Sequence, residues 1–270
     1  MPTVIGFKEV AMLLAIDVGN TNIVLGAFDG DKMVKSFRVA TSYEKSRDEY
    51  GMMFLQLMMF NGIKVEDIDD VIISSVVPPV MYSLERAVTK YLGKKPIIVT
   101  NQLDLGLNIK YENPREVGAD RLVNAVAVKE KYNCDAIIVD FGTATTFCAL
   151  TKEGDYLGGA ICPGIKISVE ALFSKTSKLP RIELTPTKTV IGRTTVSSMQ
   201  SGVIHGYVGQ VDYMVKLMRE EMGCNAKVIA TGGLSGMISE ESSTIEVIEP
   251  NLTLDGLRII YDRLKVKGNE

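Results

Sequence analysis

The chain has 270 residues, of which 46% are hydrophobic and 23% charged, a composition that fits one large or two medium folded domains and excludes an intrinsically disordered chain. A formal net charge of −3, with basic stretches no longer than pairs such as Lys94-Lys95, supplies no electrostatic footprint for DNA or RNA, so no nucleic-acid partner is expected. Four cysteines without a C-x-x-C pair and a single histidine exclude a structural zinc site and a disulfide framework, and point to reduced, mostly buried thiols in the cytoplasm.

Residues 1–11 carry apolar residues interrupted by Gly6, Lys8 and Glu9, which is no signal-peptide pattern. They read as an appendage ahead of a second methionine, Met12. From there the pattern predicts three strands, Met12–Asp17, Asn22–Phe28 and Met33–Thr41, with Asp29-Gly30-Asp31 as the turn between the second and third. A helix follows over about 47–61. Its apolar run, Met52 to Phe60, is apolar nearly all round, as in buried helices, and far short of the ~20 residues that span a bilayer. No membrane association is expected. A buried strand at Val71–Val76 is punctuated by Pro78-Pro79; a helix over about 80–92, a short strand at Pro96–Val99, a loop holding Asn113-Pro114 and a helix over about 117–132 complete the first half.

The pattern then restarts. Ala136–Asp140 is an apolar run ending in aspartate, and Thr145–Thr151 and Tyr156–Cys162 are strand-like around the turn Glu153-Gly154-Asp155. A helix reaches about Lys175, residues 176–193 read as a long ordered loop, and a long helix covers about 196–222. A buried strand at Lys227–Ala230, the turn Gly232-Gly233, a short strand at Ile245–Ile248 and a helix over about 254–265 end the chain. Two copies of one unit are expected: residues 12–132 and 133–270, each a meander of three strands followed by helix–strand alternation.

The repeat is visible in the residues. Leu14-Ala15-Ile16-Asp17-Val18-Gly19-Asn20-Thr21 parallels Ile137-Ile138-Val139-Asp140-Phe141-Gly142-Thr143-Ala144. In each copy a buried strand delivers an aspartate, one residue, a glycine and then hydroxyl or amide side chains. Glycine there permits positive φ and close backbone approach, and successive N–H groups form an anion-binding concavity. Thr21, Asn22, Thr143, Thr145 and Thr146 add donors, and each aspartate is placed to hold a cation against a bound anion. Two such turns facing one another would clamp a polyphosphate, as phosphoryl transfer requires. Taken singly, each is also compatible with an ordinary hairpin turn. Neither a P-loop nor a protein-kinase Gly-rich loop occurs.

Asp17-Val18-Gly19-Asn20-Thr21 with Gly26 beyond it, Gly118-Ala119-Asp120-Arg121, and Val139-Asp140-Phe141-Gly142-Thr143-Ala144-Thr145-Thr146 resemble, in order, the motifs of the type III pantothenate kinases. Gly158-Gly159-Ala160-Ile161, Pro163-Gly164, Leu179-Pro180, Ile191-Gly192, Thr195 and Met199-Gln200-Ser201-Gly202 extend the resemblance, which runs from Met12 to about Asp262. It implies a duplicated ribonuclease H-like, actin-like ATPase fold: an α/β chain of two similar subdomains with mixed sheets around a nucleotide cleft. It implies transfer of the γ-phosphoryl group of ATP to pantothenate, the first step of coenzyme A synthesis, by a cytoplasmic homodimer.

The same resemblance implies the site. Asp17, Val18, Gly19, Asn20, Thr21, Asn22 and Thr143 would contact ATP, with Asp17 also positioning Mg²⁺; Asp140 would hold a monovalent cation, K⁺ or NH₄⁺. Asp120 would be the general base. Gly118, Ala119, Asp120, Arg121, Tyr111 and Thr195 would contact pantothenate. The residue types agree: Asp120 lies near a helix start, where the dipole favours a carboxylate, and Arg121 offers a planar fork to the substrate carboxylate. Without the resemblance, Asp120 also reads as an exposed first-turn aspartate, Arg121 as a surface salt bridge, Tyr111 as packing and Thr195 as the N-cap of the long helix. Gly232-Gly233 reads equally as an adenosine-side turn or a plain one, and His205 as packing. Two positions depart from the family pattern: Cys148 stands where aspartate is usual, and Thr194 where asparagine is frequent. A non-catalytic relative acting as an accessory transcriptional regulator is the alternative function.

Overall fold

The computed structural model describes residues 12–268; the expected appendage at residues 1–11 lies outside the described residues. In chain order the elements are β1 (Met12–Val18), β2 (Asn22–Asp29), β3 (Lys32–Ala40), α1 (Arg47–Phe60), β4 (Ile68–Ser75), α2 (Pro78–Ala87), β5 (Ile97–Ile98), β6 (Asn108–Ile109) and α3 (Ala119–Tyr132). They continue as β7 (Ala136–Phe141), β8 (Ala144–Leu150), β9 (Asp155–Pro163), α4 (Ile165–Lys175), α5 (Thr195–Met222), β10 (Lys227–Thr231), α6 (Ser235–Ser239), β11 (Val247–Ile248) and α7 (Leu252–Gly268).

Two compact units emerge, neither continuous in sequence. The first takes the described residues of Met1–Leu105, Arg115–Ala127 and Thr253–Glu270; the second takes Gly106–Pro114 and Val128–Leu252. The last helix therefore packs with the first half of the chain: Tyr261 donates to Asp70 at 2.6 Å and Arg258 meets Asp31 at 2.7 Å.

In the first unit the sheet order is β3-β2-β1-β4-β5. β1 is central, antiparallel to β2 and parallel to β4, and four successive residues, Leu13–Ile16, are buried, as in a strand covered on both faces. β3 is an edge strand, with Val34, Phe37 and Val39 partly buried against the core. A capping box starts α1, in which the Ser46 N–H donates to Glu49 at 2.8 Å. Tyr50, Phe54 and Met58 of α1 are buried, while Met59 and Phe60 are exposed. Pro78 and Pro79 open α2 instead of closing a strand, since a proline in the first helical turn gives up an N–H that has no partner there anyway. The helix expected over 80–92 is α2 followed by a π-helical turn, Val88–Leu92.

The second unit repeats this order as β9-β8-β7-β10-β11, with β6 added beside β9. Its core gathers Ile137, Val139, Phe147, Val203, Val211 and Val215. The repeat extends to an irregularity. Asp17 faces Val24, and the register of β2 against β3 shifts after Ala27. Asp140 faces Thr146, and the register of β8 against β9 shifts after Ala149. In both sheets the shift lies three residues past the partner of the aspartate. The chain is thus a duplicated ribonuclease H-like fold of two mixed sheets. Of the thiols, only Cys148 is buried; Cys134, Cys162 and Cys224 are half-buried, so the expected burial holds for one of four. No helix among the described residues is long and apolar enough to cross a membrane.

Candidate functional site

Asp17 stands near the C-terminal end of β1, and its register partner on the parallel strand β4 is Ser74. The Ser74 hydroxyl, fully buried, donates to Asp17 Oδ1 at 2.7 Å and fixes that carboxylate oxygen. Val18 is buried. The turn that follows is closed by Gly19 N–H donating to the Asn22 carbonyl at 3.0 Å, with Asn20 and Thr21 exposed. Thr41, at the end of β3, braces it twice: its hydroxyl donates to the Gly19 carbonyl at 2.6 Å and its N–H to the Thr21 carbonyl at 3.0 Å.

The second unit builds the same device. Asp140 sits one residue before the end of β7, its parallel partner on β10 is Thr231, another hydroxyl residue, and Gly142 N–H donates to the Ala144 carbonyl at 3.1 Å. This turn is one residue tighter than the first, and Thr143 at its tip is exposed. The expected positive φ at the two turn glycines is not found: neither Gly19 nor Gly142 is among the glycines with positive φ. What glycine supplies at position 19 is closeness, since a Cβ would lie 3.2 Å from the Asn22 carbonyl oxygen.

The Gly118–Arg121 motif opens α3. Leu122 N–H donates to Gly118 O, Ala119 is the first helical residue and Asp120 the second. Burial pushes the Asp120 carboxyl above the ordinary carboxylate value; a 2.8 Å hydrogen bond from the Arg121 N–H and the charge of Arg121 oppose that rise. The reading of Asp120 as an exposed first-turn residue therefore fails, as does the surface reading of Arg121, which is buried. Gly118 makes room for the carboxylate: a Cβ there would lie 2.6 Å from Asp120 Oδ1. The same Cβ position is 3.5 Å from Val76, whose N–H donates to the Val18 carbonyl. Val76 thereby joins the first turn and the start of α3 at the C-terminal ends of the parallel pair β1 and β4, the strand ends where α/β proteins bind ligands.

Tyr111, Asp140, Thr143 and Thr195 belong to the second unit. Tyr111 follows β6 and is half-buried. Thr195 is not the N-cap of α5. Thr194 has the extended backbone of a cap, and its side chain accepts from the Ser197 N–H at 3.1 Å, leaving Thr195 as the first helical residue, exposed. Both threonines line a cavity of about 1300 Å³ between α4, the preceding loop and the first half of α5. In its wall Tyr207 donates to the Pro163 carbonyl at 2.8 Å, which makes the Ser168 hydroxyl the donor in its 2.6 Å contact with Tyr207. His205 meets Thr187 at 3.1 Å, holding the 176–193 segment to α5, in keeping with its packing role.

Sequence reading missed Ser74, Thr41 and Val76. Ser74 had a signal, a hydroxyl directly after the apolar run Val71–Ile73 of β4; Thr41 and Val76 act through pairing that no local pattern encodes. The donor set suits a magnesium ion: Mg²⁺ takes oxygen ligands and needs only one or two carboxylates beside phosphate, and Asp17 supplies one. Among the described residues there is no group of three or more His, Cys, Asp or Glu that would cage a metal alone.

The fold is similar to that of a Baf family transcriptional activator from Campylobacter jejuni (16% identity, 94% of this chain and 99% of that one covered, TM-score 0.59). It is also similar to the ethanolamine utilization protein EutJ from Carboxydothermus hydrogenoformans (18%, 92% and 89%, 0.54) and to component A of the (R)-2-hydroxyglutaryl-CoA dehydratase from Acidaminococcus fermentans (14%, 95% and 99%, 0.51). At such identities the likeness concerns the fold alone. The family model for type III pantothenate kinase matches residues 13–217, a stretch holding both aspartate turns, the Gly118–Arg121 motif and Thr195. The chain belongs to the type III pantothenate kinase family.

Proposed function

We propose that the protein transfers the γ-phosphoryl group of ATP to the primary hydroxyl of pantothenate, giving ADP and 4′-phosphopantothenate. The observation that carries the reading is Asp120: a half-buried carboxylate at the start of α3, its pKa raised by desolvation, with a bare glycine beside it and an arginine next in sequence, in a member of this family. In the reaction Asp120 accepts the hydroxyl proton as the hydroxyl oxygen bonds to the γ-phosphorus, and the bond from that phosphorus to the bridging oxygen breaks to release ADP. A raised pKa makes Asp120 a stronger base than an ordinary aspartate. Arg121 pairs with the pantothenate carboxylate, and Gly118, Ala119, Tyr111 and Thr195 complete the substrate contacts.

Asp17, Val18, Gly19, Asn20, Thr21, Asn22 and Thr143 hold the nucleotide. Asp17 would hold Mg²⁺ together with the phosphates, and Asp140 a K⁺ or NH₄⁺ ion; both ions offset phosphate charge. A cytoplasmic homodimer is part of the reading, and Val196, Tyr213 and Leu217, exposed along α5, offer apolar surface to a second copy. A second reading, an accessory transcriptional regulator, is suggested by the name of the Campylobacter relative. Asp17, Asp120, Arg121 and Asp140, all present, weigh against it.

The test is ADP release with pantothenate as acceptor, in Mg²⁺, with and without K⁺. Pantothenate-dependent ADP that requires K⁺ supports the whole reading. Turnover indifferent to K⁺ and NH₄⁺ removes Asp140 as a cation site, and no turnover under any condition rejects the kinase in favour of the regulator.

A further inference from the structure

Tyr111 is held from two sides. Its backbone follows β6, a two-residue strand added in parallel to the edge of β9: Asn108 N–H donates to the Gly154 carbonyl and Lys110 N–H to the Tyr156 carbonyl, both at 2.9 Å. Its ring lies 6.5 Å from the Tyr156 ring, centroid to centroid, with the planes at 48°. It also lies over Gly158, whose φ of +129° disfavours any side chain and where a Cβ would stand 3.5 Å from Tyr111 Cε2. Tyr156 is itself fully buried, and its hydroxyl donates to Cys148 Sγ on β8 at 3.2 Å. The register shift of β8 against β9 falls after Ala149, between Cys148 and the pair Leu150–Tyr156. The bulge thus aims the Tyr156 hydroxyl at the thiol, since a bulge redirects the side chains beside it.

We infer that Cys148 and Tyr156 are positioning residues for pantothenate binding, the thiol anchoring the Tyr156 hydroxyl and the Tyr156 ring setting the angle of Tyr111. The inference rests on the reading above, in which Tyr111 contacts pantothenate. A thiol is a weak acceptor, so stability alone gives little reason to aim a buried phenol at one. Its use is geometric, because sulfur reaches further than oxygen and holds the ring where a shorter side chain at 148 would leave a gap.

The experiment compares Tyr156→Phe, Cys148→Ala and Cys148→Ser with the parent chain. Phenylalanine keeps the ring and loses the anchor. We expect KM for pantothenate to rise about three- to tenfold, the size of one lost hydrogen bond, in Tyr156→Phe and Cys148→Ala, with kcat and KM for ATP unchanged. Cys148→Ser, which retains an acceptor on a shorter reach, falls between alanine and cysteine. The second readout is the ring NMR signal of Tyr111 in tyrosine-labelled protein, assigned by its loss in Tyr111→Phe. It shifts or broadens in Tyr156→Phe and Cys148→Ala. An unmoved Tyr111 signal with unmoved KM overturns the inference, as does an equal rise in KM for both substrates. If the parent chain does not phosphorylate pantothenate, the proposed function fails, and the Tyr111 signal alone decides whether Cys148 and Tyr156 position it.

Discussion

Asp120 occupies the second position of α3, and burial holds its pKa above the ordinary carboxylate value. A carboxyl with a raised folded pKa binds more protons folded than unfolded between the two values. Stability therefore falls as pH rises through that interval, and above it the fold carries the full desolvation penalty of the Asp120 charge. Asp120→Asn removes the penalty and keeps an oxygen to accept from the Arg121 N–H. In thermal unfolding without ligands, the variant is expected to be more stable than the parent at neutral pH, with the difference closing in acid once Asp120 is protonated in both states. A less stable variant at neutral pH would contradict the assignment of that penalty. Turnover should fall about 10²–10⁴-fold, the usual worth of a positioned base. The raised pKa also fixes the sign of the parent's pH profile, in which kcat/KM declines as pH drops through the Asp120 value. Gly118→Ala separates position from charge. The added methyl, 2.6 Å from Asp120 Oδ1, moves the carboxylate and leaves the helix intact, because the displaced atom ends a flexible side chain. We expect a melting temperature within a few degrees of the parent and a kcat reduced about 10²-fold, the effect of a misplacement near 1 Å. Full activity would mean that the position of Asp120 does not matter.

α5 shows what separates an element from its ends. Its existence over about 196–222 was legible, because Val203, Tyr207 and Val211 recur at helical spacing and are buried. Its cap was not: with two threonines in a row, only the backbone shows that Thr194 is extended and Thr195 helical. The two make different predictions. Thr194→Ala removes an acceptor for the Ser197 N–H and should destabilise the protein by about 1 kcal/mol. Thr195→Ala, at an exposed first helical position, should change stability by less than about 0.5 kcal/mol. Urea midpoints at constant m-value decide, and equal losses would return the cap to Thr195. The strand and the α-helix absent from the sequence reading are β6 and α6, of two and five residues, too short to show a period. The first is defined only by pairing with β9, yet it carries Tyr111 into place. Short elements held by tertiary pairing leave the weakest trace in a single sequence.

Duplication was the most legible property of the whole molecule, since an aspartate, a spacer and a glycine recur after two buried strands, and the structure extends the repeat to strand order and to the register shift after Ala27 and Ala149. The division of the chain was less legible. Thr253–Glu270 counts with the first unit and Gly106–Pro114 with the second, exchanges set by which sheet a segment packs on and not by its own pattern. The two copies also differ at their aspartate turns. The first turn is longer and doubly braced by Thr41, and a hydroxyl at 2.7 Å fixes Asp17; the second is one residue tighter. If the copies divide the labour of charge neutralisation, the two aspartates answer to different ions. Asp17→Asn should move the Mg²⁺ activation curve to higher concentration and leave the K⁺ curve in place. Asp140→Asn should move the K⁺ curve and leave the Mg²⁺ curve. Titrating each ion against each variant, with the other ion saturating, gives four curves. Shifts confined to the matching ion establish that one ancestral turn has become two distinct cation sites. Both curves shifting together in both variants would mean that the turns act as a single electrostatic clamp, and the separate roles given to Asp17 and Asp140 would have to be merged.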